Sequence, residues 1–503
     1  MSKKGKVYLI GAGPGRADLI TVRGAELLKI ADCIIYDKLA NPALLKFARP
    51  DAEIINVPKR IGPGSATQDQ INKLIVEKAS LGQTVVRLKG GDPCIFGRAG
   101  QELSVLAKAG IDFEIVPGVT AAVAAAESAG ILLTDRDYSS QVVFITGQEA
   151  EGKQQSNIDW HLLAKFNGTI VFYMAMENLE FIAKQLIKNG MAEETPTAVI
   201  ADATLPSQKT VRASLKQITE TCKENKIGPP AIVVIGTAAD NKLNWLTDKP
   251  IFGKTILMTR DAESNADFAA KIIAKGGCPI EFPTIKIEPL TQTNKFLQTL
   301  AKLAEYDWLI FTSANGIAVS FDSLQKLGKD ARVFASAKIA AIGSETAAKL
   351  SEFGIKADFV PNVFTGKELG KQLIAFTNLK GKKVLLLRSQ LASNELSGVL
   401  ESAGAKVDNV PVYTAVTVRN KCGPLMEKIK KSEIDWLTFS SPSSVKSFFE
   451  QIPADIVNSS NTRIASIGPV TSEQLKTLGL KVDTQASEHT ADGLLDAIEK
   501  MYK

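Results

Sequence analysis

Residues 87–100, RLKGGDPCIFGRAG, gather what chemistry on a small molecule would need: two adjacent glycines, an acid, a proline and the cations Arg87, Lys89 and Arg98. Gly90 and Gly91 leave a backbone that another group can approach closely, Asp92 offers two acceptor oxygens, and Arg98 carries a planar fork of donors suited to carboxylates. Lys59 and Arg60 form a second cationic site ahead of a Gly- and Pro-rich loop at 61–66. A third motif is Gly11-Ala12-Gly13-Pro14-Gly15 after the apolar run 7–10, with Asp37 following the apolar run 33–36. That arrangement invites a dinucleotide-binding reading, and with it a nicotinamide-dependent dehydrogenase. Against it stand Arg16, where the third glycine of the fingerprint belongs, and Pro14 inside the loop. Throughout, the plain alternative is a tight turn whose glycines serve geometry alone.

The composition narrows the chemistry. His161 and His489 are the only histidines, so a Ser-His-Asp triad or a His-rich metal site has almost no material. Cys33, Cys94, Cys222, Cys278 and Cys422 lie far apart without a CxxC pair, which argues against zinc or a redox couple, and no metal is expected. A net charge of +6 on 503 residues, with lysines spread out and aromatics at 6%, lacks the basic stripe and stacking aromatics of a nucleic-acid binder. A mildly basic enzyme with an anionic small-molecule substrate fits better. No segment reaches the ~18 apolar residues of a membrane span, and the amino-terminal lysines run straight into a strand without a secretory h-region. A cytoplasmic protein is expected.

These residues need elements to hold them. The length suggests roughly two to four domains, and apolar runs alternating with helical patterns predict α/β architecture. A strand at 84–88 and a helix from about 102 place Gly90-Gly91-Asp92-Pro93 at the carboxyl end of a strand, where open α/β sheets bind ligands. Helices are expected at 18–28, 68–78 and 121–129, and strands at 112–116, 141–146, 169–174, 197–200 and 231–235. The change of pattern near Pro117 predicts two α/β lobes, about 1–116 and 117–245, with a small-molecule site in the cleft between them. Residues 246–252 read as a linker.

The remainder repeats itself. Residues 253–260 recur as 381–388, and Asp307-Trp308-Leu309-Ile310-Phe311 recurs as Asp435-Trp436-Leu437-Thr438-Phe439, 128 residues on; Ala341-Ile342-Gly343 recurs as Ser466-Ile467-Gly468, 125 on. A duplicated pair of α/β lobes with parallel sheets follows. Thr312, Ser313, Ser344, Ser441 and Thr471 lie in turns at strand ends, where they could cap helices or sit beside N–H groups that suit an anion. A two-lobed binding module is the non-enzymatic alternative.

Taken in order, GAGPG, YDKLA, VPKR, RLKGGDPCIFGR, VPGVTAA, GILLTDRDY, VFYM and GPPAIVVIG resemble the uroporphyrinogen-III C-methyltransferases over residues 5–238. The resemblance implies S-adenosylmethionine as methyl donor and two methyl transfers to uroporphyrinogen III, giving precorrin-2. It places the donor against Pro14, Gly90, Gly91, Asp92, Ile95, Thr120, Ala121, Met174 and Ala203. Arg98 would face substrate, Asp37 and Lys59 match the proton acceptor and donor, and Lys59, Arg60, Arg98 and Arg136 would meet the substrate's carboxylates. A homodimer through this half is implied. The family often has His at Asp135 and Gln148 and Gly at Ala203, which bears on local substrate and adenine contacts.

Residues 253–502, carrying FTSANG, AAIGSETA, VYTAV, FSSPSSV and HTADGLL, resemble uroporphyrinogen-III synthase. This implies cofactor-free closure of hydroxymethylbilane with inversion of its last ring, Tyr413 near the leaving group, and Thr312, Ser313, Ser344, Ser441 and Thr471 binding carboxylates. It also implies two lobes, 253–283 plus 411–503 and 284–410, joined by crossing strands. The fold expected for the whole chain is a tetrapyrrole-methylase-like pair of α/β lobes followed by a duplicated two-lobed synthase-like half, with tetrapyrroles as partners and neither nucleic acid nor membrane.

Overall fold

The computed structural model describes residues 4–57, 67–148 and 157–503. The chain folds as two compact units, Met1–Gly253 and Lys254–Lys503.

In the first unit, β1 (Lys6–Gly11), β2 (Cys33–Tyr36), β3 (Glu53–Asn56), β4 (Val85–Lys89) and β5 (Asp112–Val116) form a parallel sheet in the order β3-β2-β4-β1-β5. The inner strands β1, β2 and β4 are covered on both faces and so are largely apolar on both sides, whereas the edge strands β3 and β5 are largely exposed. Val7, Leu9, Cys33, Ile35 and Val85 pack on the helices Gln68–Ser80 and Ala99–Lys108, while Ile10, Ile34, Val86 and Leu88 pack on Val22–Ile30. Arg87 and Lys89 continue the first of these faces, because strand side chains alternate.

The second sheet has β6 (Val142–Thr146), β7 (Thr169–Tyr173), β8 (Pro196–Ala201), β9 (Lys209–Ser214) and β10 (Ala231–Ile235) in the order β6-β7-β10-β8-β9. Only β6 and β7 are parallel. The helix Ala121–Ser128 packs here through Ala122, Ala125 and Ala126, all fully buried. Edge strand β9 escapes the apolar pattern because KTVRAS is partly polar and half-buried. Residues 246–252 do not behave as a free linker: Leu246 is 4% and Ile251 0% exposed, so their apolar side chains hold the stretch in place.

The second unit contains β11 (Thr255–Met258), β12 (Cys278–Glu281), β13 (Ile285–Pro289), β14 (Trp308–Phe311), β15 (Lys338–Ala341), β16 (Lys383–Ser389), β17 (Lys406–Thr417), β18 (Trp436–Phe439), β19 (Arg463–Ser466) and β20 (Thr484–Gln485). One sheet runs β12-β11-β18-β19-β20 and is parallel; the other runs β13-β17-β16-β14-β15, with β13 antiparallel to β17. β17 pairs with β16 as far as Tyr413 and with β13 from Tyr413 to Thr417, so the strand runs on through 410/411 and changes partner at Tyr413.

The repeat has a physical basis. Asp435 accepts from the Thr255 N–H at 2.8 Å and pairs with Lys254, while Asp307 accepts from the Lys383 N–H at 2.9 Å and pairs with Lys382. Each acid staples the start of one parallel strand to the start of its neighbour.

Candidate functional site

In the first unit the loops after β1, β4 and β5 close on one another. Gly91 N–H donates to the Gly13 carbonyl at 2.7 Å, and Gly13 N–H returns a bond to the Gly91 carbonyl at 3.2 Å. A Cβ on Gly11 would lie 2.5 Å from Gly118 Cα, and one on Gly118 only 2.3 Å from the Gly91 oxygen. Asp92 locks this junction: one carboxylate oxygen accepts from Cys94 N–H at 2.8 Å and the other from Gly118 N–H at 3.0 Å. The acid expected to meet the donor's polar end therefore also shapes the loop that would receive it.

The second sheet completes the surroundings. A Cβ on Gly91, whose φ is +65°, would sit 3.5 Å from Ala121 N, at the start of the alanine-rich helix. Thr120 Oγ1 lies 2.6 Å from Tyr173 Oη, and that hydroxyl also accepts from Ala122 N–H at 3.2 Å. The Tyr173 ring packs on Phe96, 5.0 Å between centroids, and burial raises its phenol pKa. Met174 follows with φ +51° and is 48% exposed; Ile95 is 36% exposed. A Cβ on Gly15 would meet the Ala203 oxygen at 3.0 Å, and Arg16 N–H donates to Thr204 Oγ1 at 3.1 Å, placing Pro14 beside the 202–204 turn. Gly90 leaves room for Leu39, whose Cβ would be 2.6 Å from an added methyl.

These contacts bring Pro14, Gly91, Asp92, Thr120, Ala121 and Ala203 together where loops of the two sheets meet, with Met174 next along the chain from Tyr173. They do not form a dinucleotide fingerprint. The helix after β1 begins only at Val22, capped by Thr21 Oγ1 accepting from Gly24 N–H, so its N-terminus does not follow directly on the glycine turn.

Arg98 is exposed at the start of the helix Ala99–Lys108, with φ +58° and no side-chain partner among the described residues. Asp37 lies at the end of β2 and accepts from Leu39 N–H at 3.2 Å and from the Arg87 guanidinium at 2.9 Å. Arg87 is fully buried and also donates to Glu102 Oε1 at 3.2 Å, while Lys89 Nζ donates to Glu102 Oε2 at 2.7 Å. Burial pulls the Lys89 pKa below its ordinary value against the attraction of Glu102. Glu102 was not among the expected site residues; two cations at i and i+2 in an otherwise apolar strand are the signal that a buried acid must answer them. Tyr173 carried no such signal. Arg136 is exposed on the turn closed by Asp135 and Ser139, with no side-chain partner among the described residues. Lys59 and Arg60 lie outside the described residues.

In the second unit, Tyr413 is 8% exposed, and its hydroxyl lies 3.0 Å from Ser313 Oγ. Burial raises the phenol pKa, opposed by hydrogen bonds with Ser313 and Ser389. Ser313 also caps the helix Ala314–Lys326, accepting from Gly316 N–H at 3.1 Å, with Thr312 beside it. Ser441 does the same for Pro442–Phe449, accepting from Ser444 N–H at 3.2 Å. Ser344 is exposed in the first turn of Ser344–Glu352. Thr471 differs: at 3% exposure in the helix Pro469–Thr477 it faces the lobe's interior, as does Thr346, its counterpart 125 residues earlier. The helical register turns that position inward, which removes Thr471 from a solvent-facing binding surface. Phe364 and His489, also 125 apart, lie against Gly343 and Gly468, a correspondence hidden by their different side chains.

Residues 6–219 match the family of Tetrapyrrole (Corrin/Porphyrin) Methylases, and residues 266–496 match Uroporphyrinogen-III synthase HemD. The chain is 38% identical to the porphyrin biosynthesis protein HemD of Ruminiclostridium josui over 98% of this chain and 97% of that one. It is 38% identical to the uroporphyrinogen-III C-methyltransferase of Bacillus subtilis, covering 70% of this chain and 72% of that one. The S-adenosyl-L-methionine-dependent uroporphyrinogen III methyltransferase of Methanosarcina barkeri is 46% identical over 46% of this chain and 91% of its own. Nothing in these likenesses supports the nicotinamide-dependent alternative. With a relative matched almost end to end and each half falling in its own family, the chain belongs to the HemD family of porphyrin biosynthesis proteins, as a tetrapyrrole methylase domain joined to a uroporphyrinogen-III synthase domain.

Proposed function

We propose that the second unit closes hydroxymethylbilane to uroporphyrinogen III with inversion of the last ring, and that the first methylates two pyrrole carbons of that product to give precorrin-2. The observation that carries this reading is that the two halves of this chain match the tetrapyrrole methylases and uroporphyrinogen-III synthase, families of consecutive steps, in a chain that a porphyrin biosynthesis protein HemD matches end to end.

The cleft of the first unit suits S-adenosylmethionine. The side-chain-free backbone at Gly90 and Gly91, the Ala121 N–H at the start of the helix Ala121–Ser128 and the Asp92 carboxylate face polar parts of such a donor, while Pro14, Ile95, Met174 and Ala203 offer apolar contact. When bound, the donor supplies an electrophilic sulfonium methyl. The protein's part is orientation and proton handling: Arg98 engages substrate carboxylates, with Lys59, Arg60 and Arg136, and Asp37 accepts the proton released at the methylated pyrrole. No nucleophilic side chain is needed, because the electron-rich pyrrole carbon attacks.

In the second unit the reaction needs a folded bilane and an assisted departure of hydroxide as water, without a cofactor. Tyr413, kept protonated by burial, donates its hydrogen bond to the leaving hydroxyl, and Ser313 orients it. Thr312, Ser344 and Ser441 receive carboxylates at helix starts.

Supplying hydroxymethylbilane and S-adenosylmethionine to the full chain and following product mass tests the reading; absence of a dimethylated tetrapyrrole would refute it. The same reading carries a homodimer through the first unit, tested by sedimentation of the full chain, and a cytoplasmic location, tested by cell fractionation.

A further inference from the structure

Arg87 and Lys89 put two cations on one face of the central strand β4, at 0% and 3% exposure. Burying such charges costs several kcal/mol each unless they are paired and hydrogen-bonded. Glu102, 1% exposed, answers both with one carboxylate: Oε1 accepts from Arg87 Nε and, at 3.3 Å, from Gln68 Nε2, and Oε2 accepts from Lys89 Nζ. The rest of the Arg87 fork is fixed by the Leu88 carbonyl at 2.9 Å and by Asp37 Oδ2 at 2.9 Å. The cluster thus holds two acids and two cations, and Asp37, with a 13% exposed side chain, is its most accessible member.

We infer that Glu102 and Lys89 are positioning residues for methyl transfer: Glu102 divides its carboxylate between the two cations so that Arg87 is free to hold Asp37 in one orientation. Remove the Glu102 charge and two buried cations compete for Asp37 alone. Lys89, which burial already makes easier to deprotonate, is the cation whose removal restores the balance. This inference rests on the reading of Asp37 as the proton acceptor.

The test is a cycle in the full chain: Glu102→Gln, Lys89→Met, the double variant, and Asp37→Asn, each assayed for methylation kcat and KM and for S-adenosylhomocysteine affinity by calorimetry. Glu102→Gln should lower kcat about ten-fold or more while donor affinity changes less than about two-fold. The double variant should regain about five-fold or more of the lost kcat, because neutrality returns. A merely structural Glu102 would lower affinity together with kcat and show no rescue. A wild-type kcat in Glu102→Gln, or a double variant no faster than Glu102→Gln, overturns the inference. Should Glu102→Gln fail to fold, the double variant decides alone: a neutral cluster that binds S-adenosylhomocysteine and methylates supports the inference, and one that binds but does not methylate overturns it. Full activity in Asp37→Asn would instead refute the assignment of Asp37, and the positioning role with it.

Discussion

The hydroxyls of Thr120 and Tyr173 lie 2.6 Å apart, linking the loop after the first sheet to a central strand of the second. The Tyr173 ring meanwhile packs on Phe96 of the Gly90–Arg98 loop, so one side chain joins three pieces of the cleft. Tyr173→Phe keeps the ring and should cost about 1 kcal/mol of stability, the worth of an ordinary hydrogen bond, with several-fold weaker S-adenosylhomocysteine binding. Tyr173→Ala should cost about 3 kcal/mol or more. Denaturant titration and calorimetry on the same samples separate the two effects.

Gly118→Ala should abolish methylation and leave ring closure intact. Its methyl would sit 2.3 Å from the Gly91 carbonyl, a backbone atom, so the fused loops must part. Gly100→Ala is the control: among the described residues nothing beyond its own helix lies within 4 Å of the added methyl, and in a helix the change should stabilise by up to about 1 kcal/mol. Coupled assays of both steps check the pair.

Tyr413→Phe should slow ring closure by roughly ten- to hundred-fold while methylation of supplied uroporphyrinogen III is unchanged. Because burial raises the phenol pKa above its ordinary value near 10, the hydroxyl stays protonated through the neutral range. A rate lost between pH 7 and 9 in the native chain, and not in Tyr413→Phe, would contradict this.

Asp307→Asn should destabilise the second unit by about 1 kcal/mol near neutrality. The Lys382 ammonium, with the Lys383 N–H, holds the Asp307 pKa below its ordinary value. The folded state thus favours the carboxylate, so this stability is fully present above the unfolded pKa of about 4 and lost as pH falls through the lower folded value. The gap between native and variant unfolding midpoints should close on acidification; a gap that stays constant down to about pH 2 would refute the ion-pair account.

Strand β4, the GGDP turn and the duplicated strands were legible because buried parallel strands read as apolar runs and turn glycines punctuate them. The edge strands β3 and β9 were not, since a strand covered on one side carries polar residues. Thr471 looked available in the sequence because a hydroxyl after a glycine reads as a cap, whereas the helical register faced it inward.

The sequence by itself determined the inventory: which residue types could meet an anionic ligand, that two histidines leave almost no material for a Ser-His-Asp triad or a His-rich metal site, and that the second half was a duplication. Tertiary structure alone decided that Gly11, Gly91 and Gly118 are pressed backbone to backbone, that Asp92 serves the loop, and that Arg87, Lys89 and Glu102 share one buried charge balance behind Asp37. The reason is physical: a residue's type is local, but its desolvation and the partner that offsets it come from segments far along the chain, and only packing brings them within hydrogen-bond reach.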